Sequence, residues 1–314
     1  MSDWKPLSLD GVHAYPLAER SSKVHCDDFG KPWTTGGRLD AWLRSLPDIL
    51  AAKDFRNAVS SIVRAVQAGK MVILAMGAHV IKVGLNPVII DLMERGILRG
   101  LAMNGACIIH DTEIAMAGRT SEDVAANLGE GRFGMAEEPA VFLNEAIKEG
   151  AKAERGLGAA VGFKLSRQNF PYSRLSLLSR AFELDVPVTV HVAVGTDTIH
   201  FHPSVDGASL GKTTHADFRL FATLVSRLEG GVFINMGSAV IMPEVFLKAV
   251  SLVRNLGHEV KNFTTLNMDF IRQYRPLTNV VSRPTRGKGW GAHLTGHHEI
   301  LLPLLRAGVL AGLA

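Results

Sequence analysis

The residues that could do chemistry first come together in Leu101–Asp111, LAMNGACIIHD. An apolar run ends there in Asn104, Gly105 and Ala106, and three apolar residues later His110 stands beside Asp111. Filling a core does not call for that ending. Glycine at a strand end lets backbone N–H groups approach a phosphate, and histidine exchanges protons near neutral pH. Similar strand ends occur at 76–84 (MGAHVIKVG), 195–203 (GTDTIHFHP) and 235–243 (NMGSAVIMP). One glycine of this kind can simply close a tight turn. Three of the four strand ends carry one, which favours a dinucleotide site.

Other chemistries are less well served. The chain has twelve histidines, of which His200 and His202 share a strand face and His293 and His297 lie four apart near Glu299. Gly296 interrupts the second pair, no HExxH occurs, and no metal is expected. SLGKTTH (209–215) contains GKT, but Gly207 is too close to Gly211 for a phosphate loop. GLGAAVG (156–162) has the wrong spacing for a dinucleotide fingerprint and follows a helical stretch. Arg272, Arg275, Arg283 and Arg286 could recognise a carboxylate or phosphate, or could form a solvated basic surface.

Alternating strands and helices must position these groups. Short apolar runs predict strands at 71–77, 98–105, 186–195, 231–239 and 259–268. Helical spacing predicts helices within 38–70 (divided near Pro47), 86–97, 137–154, 173–185, 216–230, 242–257 and 297–310, with another opening at 111–118. This alternation implies an α/β, Rossmann-like fold with a mostly parallel sheet covered by helices on both faces. Residues 1–37 read as an N-terminal extension and 38–314 as a single domain.

Composition narrows the class. Of 314 residues, 47% are hydrophobic and 20% charged, so a sizeable core is available. A net charge of +4 without a dense basic block argues against nucleic acid and suits a small anionic ligand. The two cysteines, Cys26 and Cys107, form no disulfide framework. The start lacks a signal pattern, and the apolar tail at 300–314 is too short to span a bilayer, so a cytoplasmic protein is expected.

Four stretches in sequence resemble the deoxyhypusine synthase family, particularly its bacterial deoxyhypusine synthase-like branch. They are the segment from GAHVIKVG to HDTEIAMAG, then SLLSRAFELDVPVTVHVAVGTDTIHFHP, GGVFINMGSAVIMPEVFLKAV and GHHEILLPLLRAGVL. Order and spacing agree from about residue 38 to the end. The resemblance implies an NAD-binding Rossmann-like fold, usually a homotetramer acting on a small molecule. It places Ala78, His79, Val80, Ile81 and Lys82 at the first cofactor loop, and Asn104, Gly105, Ala106 and Asp111 at the second. Asp197 matches the Asp of a Gly-Asp pair, Gly237 and Ser238 the Gly-rich turn, and His297 and His298 the start of the last helix. His110 is a candidate for general acid–base work or for hydrogen bonding to ribose.

The departures bear on function. In the family, a lysine in a Ser-Trp-Gly-Lys run accepts the aminobutyl group of spermidine as an imine. That run is absent here, and Lys288 in RGKGWG is the only lysine close by. The family's Lys-His-His reads Ile241-Met242-Pro243, and its acidic bed for the polycation reads FIRQYRPLTN, with two arginines. A cationic substrate would meet repulsion there. The expectation is therefore an NAD-dependent hydride- or group-transfer enzyme working on something other than spermidine. The alternatives are an aminobutyltransferase using Lys288, or a non-catalytic nucleotide-binding assembly protein.

Overall fold

The computed structural model describes residues 4–314. Residues 4–38 are almost wholly exposed, with short 3-10 turns at Leu17–Glu19 and Cys26–Asp28. Then follow α1 (Leu39–Ser45), α2 (Leu50–Gln67), β1 (Val72–Met76), α3 (His79–Lys82), α4 (Asn86–Glu94), β2 (Gly100–Asn104) and α5 (Gly105–Ala117). The middle of the chain forms α6 (Val124–Leu128), α7 (Glu137–Lys152), α8 (Leu157–Ser166), α9 (Leu177–Glu183), β3 (Val188–His191) and α10 (Gly207–Ser226). The last part forms β4 (Val232–Met236), α11 (Ile241–Asn255), β5 (Thr264–Asp269), α12 (Tyr274–Pro276) running into a π-helical turn (Leu277–Ser282), β6 (Trp290–Thr295) and α13 (His298–Leu313).

The six strands are all parallel and lie in the order β3-β2-β1-β4-β5-β6. Parallel strands covered on both faces need apolar residues at successive positions, which is why β1 reads VILAM and is buried throughout. Val72, Leu74, Met76, Leu101, Met103, Ile234, Met236, Leu266 and Met268 point to one core, shared with α2 and α13. Ile73, Ala75, Ala102 and Phe233 point to the other, beneath α10 and α11. There the Phe233 and Phe246 rings stack at 3.7 Å. The α/β class with helices on both faces is as expected.

Met76 is in register with both Met103 and Met236, so the strands end together and their following loops open on one edge. The chain order reverses between β1 and β4. In a sheet of this order, ligands bind beyond the carboxyl ends of the strands, around that reversal.

Several elements differ from the sequence reading. The last strand foreseen ends the sheet only in part, because β6 adds an edge strand. Its Ala292-His293-Leu294 alternation was legible but short, and Gly291 blurs it. A Cβ on Gly291 would stand 2.2 Å from the Val281 carbonyl oxygen of the π-helical turn. α5 starts at Gly105 rather than 111. It is buried on nearly every side, so it shows little amphipathic period. α10 starts at Gly207, where Asp206 accepts hydrogen bonds from the backbone N–H groups of Ala208 and Ser209. The glycines of GLGAAVG belong to α8 and serve helix packing. Cβ atoms on Gly158 and Gly162 would lie 2.2 and 2.7 Å from the carbonyl oxygens of Val188 and Leu178.

Candidate functional site at the carboxyl edge of the sheet

One face of α5 forms the wall of a pocket. Ala106, Ile109, His110 and Glu113, at helical spacing, look into a cavity of about 240 Å³ closed by Asp197 and Lys82. A wider cleft of about 630 Å³ adjoins it and shares Glu113, Ser121, Glu122, Ala136 and Pro139. Together the two spaces fall in the range of ~300–1,000 Å³ common for small-molecule sites.

His110 is held by a relay. Its Nδ1 lies 2.6 Å from Thr120 Oγ1 and 3.4 Å from Glu113 Oε2, while the Thr120 hydroxyl donates to Glu113. That hydroxyl has one proton, already given to Glu113, so His110 Nδ1–H must be the donor to Thr120. In the neutral ring Nε2 is then the acceptor nitrogen. Burial acts to raise the Glu113 pKa, but hydrogen bonds from His110 and Thr120 outweigh it and hold the carboxylate below its usual range.

Asp197 is the second ionisable group of the pocket. Burial pushes its pKa up to about 6, against smaller lowering contributions from Thr196 and His110. Asp197 Oδ2 is buried without a hydrogen-bond partner and lies 3.7 Å from His200 Nε2, which also has none. His200 Nδ1 accepts from the backbone N–H groups of Gly195 and Asp197, which places the ring proton on Nε2. Only glycine fits at 105, since a Cβ there would stand 2.0 Å from Asp197 Oδ2.

The structure thus brings Lys82, Ala106, His110 and Asp197 to one pocket, with Gly105 in contact. Asn104 ends β2 just before α5, and its Oδ1 accepts from the Cys107 thiol at 3.1 Å. A second group gathers where the strand order reverses. Ala78, Val80 and Ile81 are buried there, and a Cβ on Gly77 would stand 2.2 Å from the Gly237 carbonyl oxygen. Ser238 Oγ accepts from the Met242 N–H and so starts α11. Gly237 (φ +63°) lies under the ring of His298, whose Nδ1 is 2.9 Å from His79 Nδ1. His298 Nε2 is buried without a partner, 4.0 Å from Asp269. His79, Phe270 and His297 reach the surface at this place, with the rings of Phe270 and His297 stacked.

Two expectations are corrected. Asp111 does not face a cofactor site. It is fully buried and accepts from Ser176 Oγ, Asn86 Nδ2 and the N–H groups of Leu177 and Leu178, where it caps α9. Lys288 precedes β6 and therefore stands at the amino edge of the sheet, a strand length of about 20 Å from the carboxyl edge. The arginines divide similarly. Arg272 and Arg275 follow the carboxyl end of β5, where Arg275 pairs with Glu244 in the first turn of α11, whereas Arg283 donates to Asn279 and Arg286 lies in the turn before β6. Among the described residues, no group of three or more His, Cys, Asp or Glu side chains could hold a metal ion.

Glu113 and Thr120 were not foreseen. Glu113 lies three residues after His110 on the same helical face, a signal present in the sequence. Thr120 had none, because it comes from a loop that the fold turns back onto α5. An unpartnered buried Asp197 oxygen, seated against Gly105 at the start of α5, and an apolar wall at Ile109 fit the ribose part of a nucleotide.

All-parallel strands in this order, with polar groups gathered at the carboxyl edge, define a Rossmann-type α/β protein. No protein-family model and no curated protein matches the chain. Solved structures do match, and the likeness is one of fold alone. The ternary complex of AgrE with ornithine and NAD+ matches at 14% identity with a TM-score of 0.52, over 82% of this chain and 32% of that one. ArgZ, a cyanobacterial arginine dihydrolase, matches at 12% identity with a TM-score of 0.50, over 83% of this chain and 33% of that one. A protein of Entamoeba histolytica provisionally assigned as a deoxyhypusine synthase matches at 12% identity with a TM-score of 0.49, over 90% and 96% of the two chains. The chain spans about a third of the length of AgrE and ArgZ. Among the described residues, no helix is long and apolar enough to cross a membrane.

Proposed function

We propose that this protein is an NAD-binding enzyme of the deoxyhypusine synthase-like kind, catalysing hydride or group transfer on a small molecule other than spermidine. The observation that carries the reading is the pocket beyond β2 and β3, where the His110 ring and the Asp197 carboxyl face one space. The His110 ring is held through Nδ1 by Thr120 and Glu113, which leaves Nε2 without a protein partner, and burial pushes the Asp197 pKa up to about 6. Bound NAD would supply the hydride acceptor. Asp197 would hold a ribose hydroxyl, Lys82 an anionic group, and His110 would move the substrate's proton. The AgrE structure, of the same fold, contains NAD+ and ornithine, which supports the cofactor. The resemblance also implies a homotetramer.

Lys288 at the far edge of the sheet speaks against the aminobutyltransferase alternative. Thermal melting with NAD, NADH and spermidine, singly and together, tests the proposal. A nucleotide at 100 times its dissociation constant should stabilise the fold by roughly 2.7 kcal/mol. NAD should raise the midpoint, Asp197→Asn should remove most of that rise, and spermidine should do nothing. No response to either nucleotide would overturn the reading.

A further inference from the structure

A second pocket, of about 360 Å³, opens at the amino edge of the sheet. Segments far apart in sequence converge on it. Asn57, Ser61 and Arg64 lie on one face of α2, Asn262 comes from the entry to β5, and Lys288 and Trp290 come from the entry to β6. Its lining includes two cations and no carboxylate. The Arg64 guanidinium donates to the Ser61 hydroxyl at 3.0 Å, and Ser61 is itself buried. This contact holds the guanidinium at the pocket while most of its N–H donors find no protein acceptor. Among the described residues, neither Arg64 nor Lys288 makes an ion pair. The neighbouring carboxylates, Glu229 and Glu259, stand outside the lining, and Glu259 is close enough to Lys288 for the lysine's charge to lower its pKa. Glu229 accepts from the backbone N–H groups of Lys261 and Asn262, and Glu259 pairs with Lys261.

Two cations without an ion pair, with neutral donors beside them and no carboxylate in the lining, leave the concavity itself positive. An arginine fork and a flexible ammonium together suit the oxygens of a phosphoryl or carboxyl group. The half-buried indole of Trp290 supplies an apolar wall. We propose that this pocket binds a small metabolite through an oxyanion held between Arg64 and Lys288, with its uncharged part against Trp290. The proposal does not depend on the carboxyl-edge site, which lies at the other end of the strands.

The test is melting and calorimetric titration of the full chain at constant ionic strength, with inorganic phosphate or malonate replacing chloride. At least one anion should raise the midpoint saturably. Lys288→Gln, whose side chain is exposed and whose fold should be intact in chloride, should weaken binding at least tenfold, and Arg64→Gln should do the same. Asp197→Asn should keep the response, which separates this pocket from the other. A response to phosphate alone would identify a phosphoryl ligand, and to malonate alone a carboxylate. No response beyond chloride, or a response surviving both Lys288→Gln and Arg64→Gln, would overturn the proposal.

Discussion

The Asp197 carboxylate lies directly on the backbone of Gly105, so close that a Cβ at 105 would meet Oδ2 at 2.0 Å and Val192 Cγ1 at 3.2 Å. A loop after β3 is thereby seated on the first residue of α5. Gly105→Ala must push that loop away. Overpacking of this kind costs about 1–3 kcal/mol. The expected result is a lower urea midpoint together with at least tenfold weaker NAD binding by calorimetry. An alanine variant with unchanged stability and binding would mean that the loop and helix are not in contact.

Three buried aspartates make stability depend on pH in an unusual direction. Burial raises Asp111 and Asp197 to about 6 and Asp217 to about 7. A carboxyl whose pKa is raised in the folded state holds its proton there after the unfolded chain has lost it. The folded form then binds more protons between about pH 4 and 7, and stability falls as pH rises through that window. For Asp217 the effect is on the order of 4 kcal/mol. Its Oδ2 accepts from the N–H groups of Gly158 and Val190, and an amide oxygen can do the same. Asp217→Asn should therefore flatten the decline of the denaturation midpoint between pH 4 and 7. An equally steep decline in the variant would show that Asp217 ionises normally.

Thr120 ties a surface loop to α5 through His110 and Glu113. Thr120→Val keeps the shape and removes both hydrogen bonds, at a cost of about 1 kcal/mol. Hydrogen exchange should quicken in residues 118–123, and nucleotide binding should weaken only a few-fold. Unchanged exchange in that loop would argue that the relay does not hold it.

Lys288→Ala tests whether Lys288 belongs to the cofactor site. Since Lys288 stands at the amino edge, the variant should keep the full rise in melting midpoint with NAD. Loss of that rise would bring the lysine back into the cofactor site.

The central strands were legible in the sequence because parallel strands buried on both faces must be continuously apolar, as VILAM and GVFIN are. The helices with one apolar stripe were legible for the same reason of burial, as in α2. So were the glycines that end β1, β2 and β4, since their backbone geometry is local. α5 and β6 were blurred because burial on many sides and edge position each weaken periodicity. Local sequence also placed His110 and Asp111 side by side without telling them apart. Only tertiary structure sent His110 into a pocket and Asp111 under the start of α9, because adjacent residues on a helix point about 100° apart and meet different neighbours. The Asp197–Gly105 contact and the separation of Lys288 from the carboxyl edge were likewise decided by chain segments that are distant in sequence and meet only in the folded protein, while the Thr120 relay needed the loop just after α5 to fold back on it.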